Sequence, residues 1–252
     1  MNVVQLNNTV RKADLLARLQ REILPLQGLR SAVNGSSMDL GLGVINDSLP
    51  NRSLPLGAVH EFITSTREGH SASSGFVSSL LSPLMKKGGT ALWISAGRTI
   101  YPAALKSYGI EPERVIFIDI VKQKDAAWAM DEALKCGAIS CVVGEIADLS
   151  FTASRRLQLS VEQSQVTAFL LRNNPRNLNS SACVTRWKIS PLPSENIDDL
   201  PGLGWPVWNV ELLKVRNGRP GTWQVKWMNG QLQVTPAQLM DQEMEELKTK
   251  TA

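Results

Sequence analysis

From Thr64 to Gly75 the chain strings together small and polar residues, TSTREGHSASSG, directly after an alternating, β-prone stretch, Ala58 to Ile63. Phe76, Val77, Leu80, Leu81 and Leu84 then recur at helical spacing. Strand, Gly/Ser-rich loop and helix is the order of a phosphate-binding loop, where backbone N–H groups and a helix N-terminus face an anion. The chemistry of such a loop needs Gly, four residues, then Gly-Lys-Ser/Thr: the lysine grasps phosphate and the hydroxyl holds Mg²⁺. Here Ser73-Ser74-Gly75 runs into Phe76 and Val77, so apolar side chains stand at both reactive positions. His70 fills the slot of the first glycine, and Gly69 lies one residue early. The stretch reads as a phosphate-loop layout without its reactive groups.

Other chemistries find less support. Cys136, Cys141 and Cys183 are an odd number and widely spaced, two of them in apolar surroundings, and read as reduced core cysteines of a cytoplasmic protein. With only His60 and His70 beside them, no zinc cluster is expected. No Ser-His-Asp set suggests itself, and His70 reads as an exposed loop residue. The chain has 252 residues, 43% hydrophobic and 20% charged, the balance of a globular protein. No apolar run approaches the ~18 residues of a membrane helix, and Met1 to Asn8 lacks the regions of a secretory leader. A net charge of +4 permits nucleic-acid contact without establishing it.

The elements that must position these residues follow from periodicity. Thr9 to Leu24 reads as an amphipathic helix, with Leu15, Leu16, Leu19 and Ile23 on one face and Arg11, Asp14, Arg18 and Arg21 on the other. Gln27 to Pro55 reads as a connecting segment with one short strand near Leu40 to Ile45. After the opening strand and helix, strands are expected at Thr90–Ser95, Val115–Ile120, Ile139–Val143 and Thr167–Arg172. Helices are expected at Pro102–Tyr108, Asp125–Lys135 and Thr152–Ser164. This alternation implies a mostly parallel sheet covered on both faces, with ligands at the carboxyl ends of its strands. Four further short strands (Cys183–Ser190, Val207–Arg216, Thr222–Met228, Gln231–Val234) read as an antiparallel meander at the sheet edge. Asn217-Gly218 and Asn229-Gly230 are its hairpin signals. Pro236 to Ala252 is an acidic tail.

Several segments carry a further signal: Leu92-Trp93-Ile94 with Tyr101-Pro102, Trp128 to Leu134 and Gly137 to Glu145, then Arg155 to Leu159, Thr185-Arg186-Trp187 and Gly218 to Trp223. In order and spacing these segments together resemble the RecA recombinase core, and more closely the ImuA family of RecA-like proteins from bacterial mutagenesis cassettes. They span roughly Leu54 to Val234. The resemblance implies an α/β fold with a RecA-like core of the P-loop NTPase type: a mostly parallel sheet flanked by helices, with a C-terminal antiparallel meander and an N-terminal helix. It divides the chain into residues 1–40 (helix and linker), 41–190 (degenerate core), 191–235 (meander) and 236–252 (tail).

The same resemblance places RecA's phosphate lysine on Phe76, its water-activating glutamate on Gly97, and the acid that positions Mg²⁺ on Gly144, with Glu145 one step beyond. ATP hydrolysis needs charge neutralised, a metal held and a water oriented, so an inactive ATPase fold without a cofactor is expected. Glu145 is the remaining candidate for chemistry, with a structural carboxylate the preferred reading. Candidate DNA contacts are Arg172, Arg176 and Arg186, around Asn173 to Ser181, although autonomous DNA binding is expected to be weak or absent. Trp187 and Trp223 are expected in the core, and Trp205 and Trp208 at the surface.

The implied role is accessory: damage-induced (SOS) translesion synthesis and mutagenesis in the bacterial cytoplasm, at the nucleoid when induced. The implied partners are RecA, an ImuB-type homologue of the Y-family polymerases and, through it, an error-prone replicative polymerase and the sliding clamp. Leu16, Leu19 and Ile23, rimmed by Arg18 and Arg21, are the expected partner-binding residues. The alternatives are a weakly active NTP-binding ATPase and a SulA-like inhibitor of cell division.

Overall fold

The computed structural model describes residues 38–86, 89–195 and 204–236. The expected N-terminal helix, with Leu16, Arg18, Leu19, Arg21 and Ile23, and the acidic tail lie outside the described residues.

Strand β1 (Val59–Thr64) is buried along its whole length, as a strand with sheet neighbours on both sides and helices on both faces must be. It leads into helix α1 (Arg67–Met85). Strands β2 (Thr90–Ser95) and β3 (Val115–Asp119), helix α2 (Ala126–Leu134), strand β4 (Ile139–Glu145), helix α3 (Phe151–Ser164) and strand β5 (Thr167–Asn173) follow. Then come β6 (Thr185–Glu195), β7 (Trp205–Val215), β8 (Gly221–Met228) and β9 (Gln231–Pro236).

All nine strands join one sheet in the order β3-β2-β4-β5-β1-β6-β7-β8-β9. From β3 to β6 every pairing is parallel, and from β6 to β9 every pairing is antiparallel. The mixed α/β architecture expected from the alternation is thus present. β6 runs through residue 190, so the parallel part and the meander are continuous. Asn229 (φ 54°) and Gly230 (φ 74°) make the left-handed pair that a tight hairpin between β8 and β9 needs.

The sheet separates two apolar layers. Phe62, Phe76, Leu80, Leu81, Trp187, Trp208 and Trp223 fill the α1 side, and Met130, Leu134, Val142, Leu157 and Val161 fill the α2/α3 side.

Two local expectations are corrected, and one helix takes a tighter form. The strand near Leu40–Ile45 is absent, and Gly43–Ser48 forms a 3-10 helix instead. The helix expected at Pro102–Tyr108 is present with those bounds, as a 3-10 helix ended by Gly109 at φ 74°. Trp208 is buried, at 4% exposure, because β7 brings it edge-on to Phe76, 6.1 Å between ring centroids. Trp187 and Trp223 are in the core as expected, and Trp205 is half-buried.

Candidate functional site

The carboxyl ends of β1, β5, β4 and β2 face the first turns of α1, where a nucleotide loop was expected. There is no such loop. Ser65 and Thr66 alone join β1 to α1, and the helix begins at Arg67, capped by the Thr66 hydroxyl, which accepts from Gly69 N at 3.0 Å. Ser73, Ser74, Gly75, Phe76 and Val77 are therefore helical and buried.

Close packing explains the small residues that read as loop. A Cβ on Gly69 would lie 2.2 Å from Thr64 Oγ1, and one on Gly75 would lie 2.6 Å from the Tyr108 hydroxyl and 3.1 Å from Trp208. They let α1 lie against its neighbours. Phe76, at the lysine position, is fully buried among Phe62, Trp187 and Trp208, with ring centroids 6.1–6.3 Å away. Val77 is equally inaccessible.

Strand alternation sends Gly144 and Glu145 to opposite faces of β4. Gly144 turns toward α2, and a Cβ there would come within 2.6 Å of Met130 Sδ. Glu145 turns toward α1 and is 5% exposed; its Oε1 accepts from Trp93 Nε1 at 2.9 Å and from the Thr99 hydroxyl. Its Oε2 stands 3.7 Å from His70 Nε2, beyond hydrogen-bond reach. Glu145 is thus a strand-end carboxylate that anchors the segment after β2, which contains the exposed Gly97. His70 is on a helix and mostly buried rather than on an exposed loop. Both its ring nitrogens, and the Ser73 and Ser74 hydroxyls, are buried without a hydrogen-bond partner. Among the described residues no group of three His, Cys, Asp or Glu side chains could hold a metal ion.

The expected phosphate contacts are divided by the fold. Arg172 is 1% exposed: its Nη1 donates to Glu61 Oε1 at 2.7 Å, its Nε to Ala147 O at 3.1 Å and its Nη2 to Asn177 O at 3.2 Å. Arg186 Nε donates to the other Glu61 oxygen at 2.7 Å, and its Nη2 donates to Asn179 O at 2.8 Å. Neither guanidinium is available to a phosphate, a correction whose cause is the buried acid between them. Burial alone would raise the Glu61 carboxyl, but hydrogen bonds from Arg186, Arg172 and Ser181 outweigh it and hold the carboxyl below its ordinary range. Arg176 is the one of the three that is fully exposed, at 88%, and stands 3.6 Å from Asp148; Arg186 keeps 15% exposure.

Glu61 was missed by the sequence reading. Its signal was an acid inside a β-prone strand between Val59 and Phe62. His60, beside it, is fully buried, with Nε2 2.8 Å from Pro55 O and Nδ1 2.8 Å from Thr185 Oγ1. A carbonyl only accepts, so Nε2 carries the proton and Nδ1 receives the Thr185 hydroxyl hydrogen. Burial pulls this imidazole down to about 4, against the smaller opposing effect of the bond to Pro55. Cys141 and Cys183 are free and buried, and burial pushes their thiols up to about 12 and about 11.

No protein-family model matches the chain. Two proteins named Protein ImuA, from Caulobacter vibrioides strains NA1000 / CB15N and ATCC 19089 / CIP 103742 / CB 15, are similar to it. Each is 31% identical over 198 residues, covering 74% of this chain and 81% of the relative. With most of both sequences aligned at that identity, the chain belongs to the ImuA family.

Proposed function

We propose that this protein is a non-catalytic, RecA-like accessory factor of SOS-induced translesion synthesis. It works through contacts with RecA and with an ImuB-type polymerase homologue that brings in the error-prone replicative polymerase and the clamp. Family membership supports the mutagenesis setting. The observation that carries the non-catalytic reading is the use made of the positions where ATP chemistry needs charge. Phe76 is a core ring and Gly144 is packed against Met130. Restoring charge at either would disrupt packing. No helix among the described residues is long and apolar enough to cross a membrane, as the reading requires.

In this reading the Thr9–Leu24 segment docks on RecA through Leu16, Leu19 and Ile23, with Arg18 and Arg21 at the rim, and limits filament growth. The test has two parts. Purified protein should show no ATP turnover above a buffer control. Leu16→Asp with Leu19→Asp should abolish co-precipitation with RecA and damage-induced mutagenesis while the melting temperature is unchanged. ATP turnover that Glu145→Ala removes would overturn the first part; unchanged RecA binding would overturn the second.

A further inference from the structure

The sheet face turned away from α1 is apolar over only part of its width. The layer beneath α2 and α3 draws on β1 to β5 and takes no side chain from β6 to β9. Further along, the same face is polar. Lys188, Glu211 and Gln224 occupy the alternate positions between the core residues Trp187 and Ile189, Val210 and Leu212, and Trp223 and Val225.

At the boundary between the two parts, cations outnumber acids. Arg172 and Arg186 share the single carboxylate of Glu61. Lys214, opposite Arg186 on β7, donates from Nζ to Ser181 O at 2.8 Å, and Arg216 Nη2 donates to Ala182 O at 3.3 Å. Those acceptors are successive residues, so the two cationic heads lie side by side. Arg186 joins them through Nη2, which reaches the Ser181 hydroxyl at 3.2 Å. Among the described residues no carboxylate pairs with Lys214 or Arg216, and the nearby Glu211 is held by Lys188 at 2.9 Å. Four cations thus surround one acid, and Lys214 is exposed. Like charges this close repel, and an anion laid over them would relieve the repulsion.

The chain carries such an anion. Residues 237–252 follow β9 directly and lie outside the described residues; among them Asp241, Glu243, Glu245 and Glu246 fall in a run that holds no cation. Pro236 pairs with Trp223, which pairs with Val210, so Lys214 is two strands across and four residues along from the end of β9. At ordinary strand spacing and rise that is about 16 Å. Asp241 and Glu246 follow Pro236 by spans of up to about 17 Å and about 34 Å, so the run reaches the cluster.

We propose that the acidic run Asp241–Glu246 docks on the Lys214/Arg216 cluster, as a strap across the polar face of β7 and β8. Tethering gives the run an effective concentration in the millimolar range, which favours it over a free acidic partner. The contact is electrostatic and open to solvent, so it is weak and yields to salt. While it holds, the cationic face is withheld from phosphate backbones.

The test uses the full chain labelled with nitrogen-15. In about 50 mM salt the amide resonances of residues 241–246 should lie away from unfolded-peptide positions, and they should return to them in about 500 mM salt, where such contacts are screened. Lys214→Gln with Arg216→Gln keeps a donor for each carbonyl while removing both charges, and should release the run in low salt. Melting temperatures check the fold, and Lys214→Gln alone replaces the pair if the pair does not fold. Neutralising the tail (Asp241→Asn, Glu243→Gln, Glu245→Gln, Glu246→Gln) should tighten binding of a single-stranded oligonucleotide at least ~10-fold in low salt. Unfolded-peptide resonances in wild type would overturn the proposal, as would displaced resonances that survive loss of the cations. An oligonucleotide that bound wild type and the neutralised tail equally would assign the face to phosphate and overturn it too.

Discussion

Glu61 and Arg172 meet at 2.7 Å inside the sheet, the carboxylate 0% and the guanidinium 1% exposed, with Arg186 on the second carboxylate oxygen. The group that looked like a phosphate ligand is a structural cation. Removing one member of such a buried set strands the others, which costs about 3–5 kcal/mol. Glu61→Gln should therefore lower the urea unfolding free energy by that amount, whereas Arg176→Ala should stay within about 0.5 kcal/mol of wild type. Any DNA affinity that depends on these arginines should be lost in Arg176→Ala alone, read from the salt dependence of single-strand binding.

Lowering the pH should destabilise the fold through His60. Its folded-state value, about 4, lies below the ordinary 6.5. Between those values the unfolded chain holds a proton that the buried ring refuses. The stabilisation is complete above about pH 6.5 and is lost as the pH falls toward about 4, by about 3 kcal/mol in all. Urea midpoints recorded from pH 7.5 to pH 4 should show this step, and His60→Gln should flatten it. Glu61 contributes with the same sign lower down, below the ordinary carboxylate value, since its carboxyl is also depressed.

Phe76→Lys is the direct attempt to restore a phosphate-grasping lysine. The ring it removes packs on Phe62, Trp187 and Trp208, and the ammonium it adds has no solvent to reach. Cavity and desolvation together should cost at least about 3 kcal/mol. The expected result is a strongly lowered melting temperature with no gain of ATP turnover; a stable, active variant would disprove the assignment.

Gly144→Asp asks the same of the metal position. The new Cβ would collide with Met130, a flexible side chain, so a cost of about 1–3 kcal/mol is expected. Met130→Ala in the same chain should recover part of it, measured by a double-mutant cycle on thermal or urea unfolding.

The parallel strands and the hairpins were legible because their signals are local. The apolar run of Ala91 to Ile94 and the Asn-Gly turns each act on a few neighbouring residues. The stretch from Thr64 to Gly75 was misread because small residues serve two purposes. Glycine and serine favour loops in isolation, yet they also let a helix approach closely, and only the positions of Thr64, Tyr108 and Trp208 reveal which applies. Trp208 was assigned to the surface from its Gly204 and Pro206 flanks, but its burial is decided by Phe76, far away in the chain. The arginines failed for a related reason. A guanidinium looks the same in sequence whether it faces solvent or a carboxylate 111 or 125 residues distant.

Those separations also order events in time. β1 lies between β5 and β6, so neither of its sheet neighbours exists until most of the chain has been synthesised. Without Arg172 and Arg186 the Glu61 carboxylate would be an unpaired buried charge, so burial of β1 is unfavourable until both are in place. The charge therefore guards against premature collapse of the N-terminal half. Both ladders that flank β1 join segments far apart in sequence, the kind of contact that slows folding.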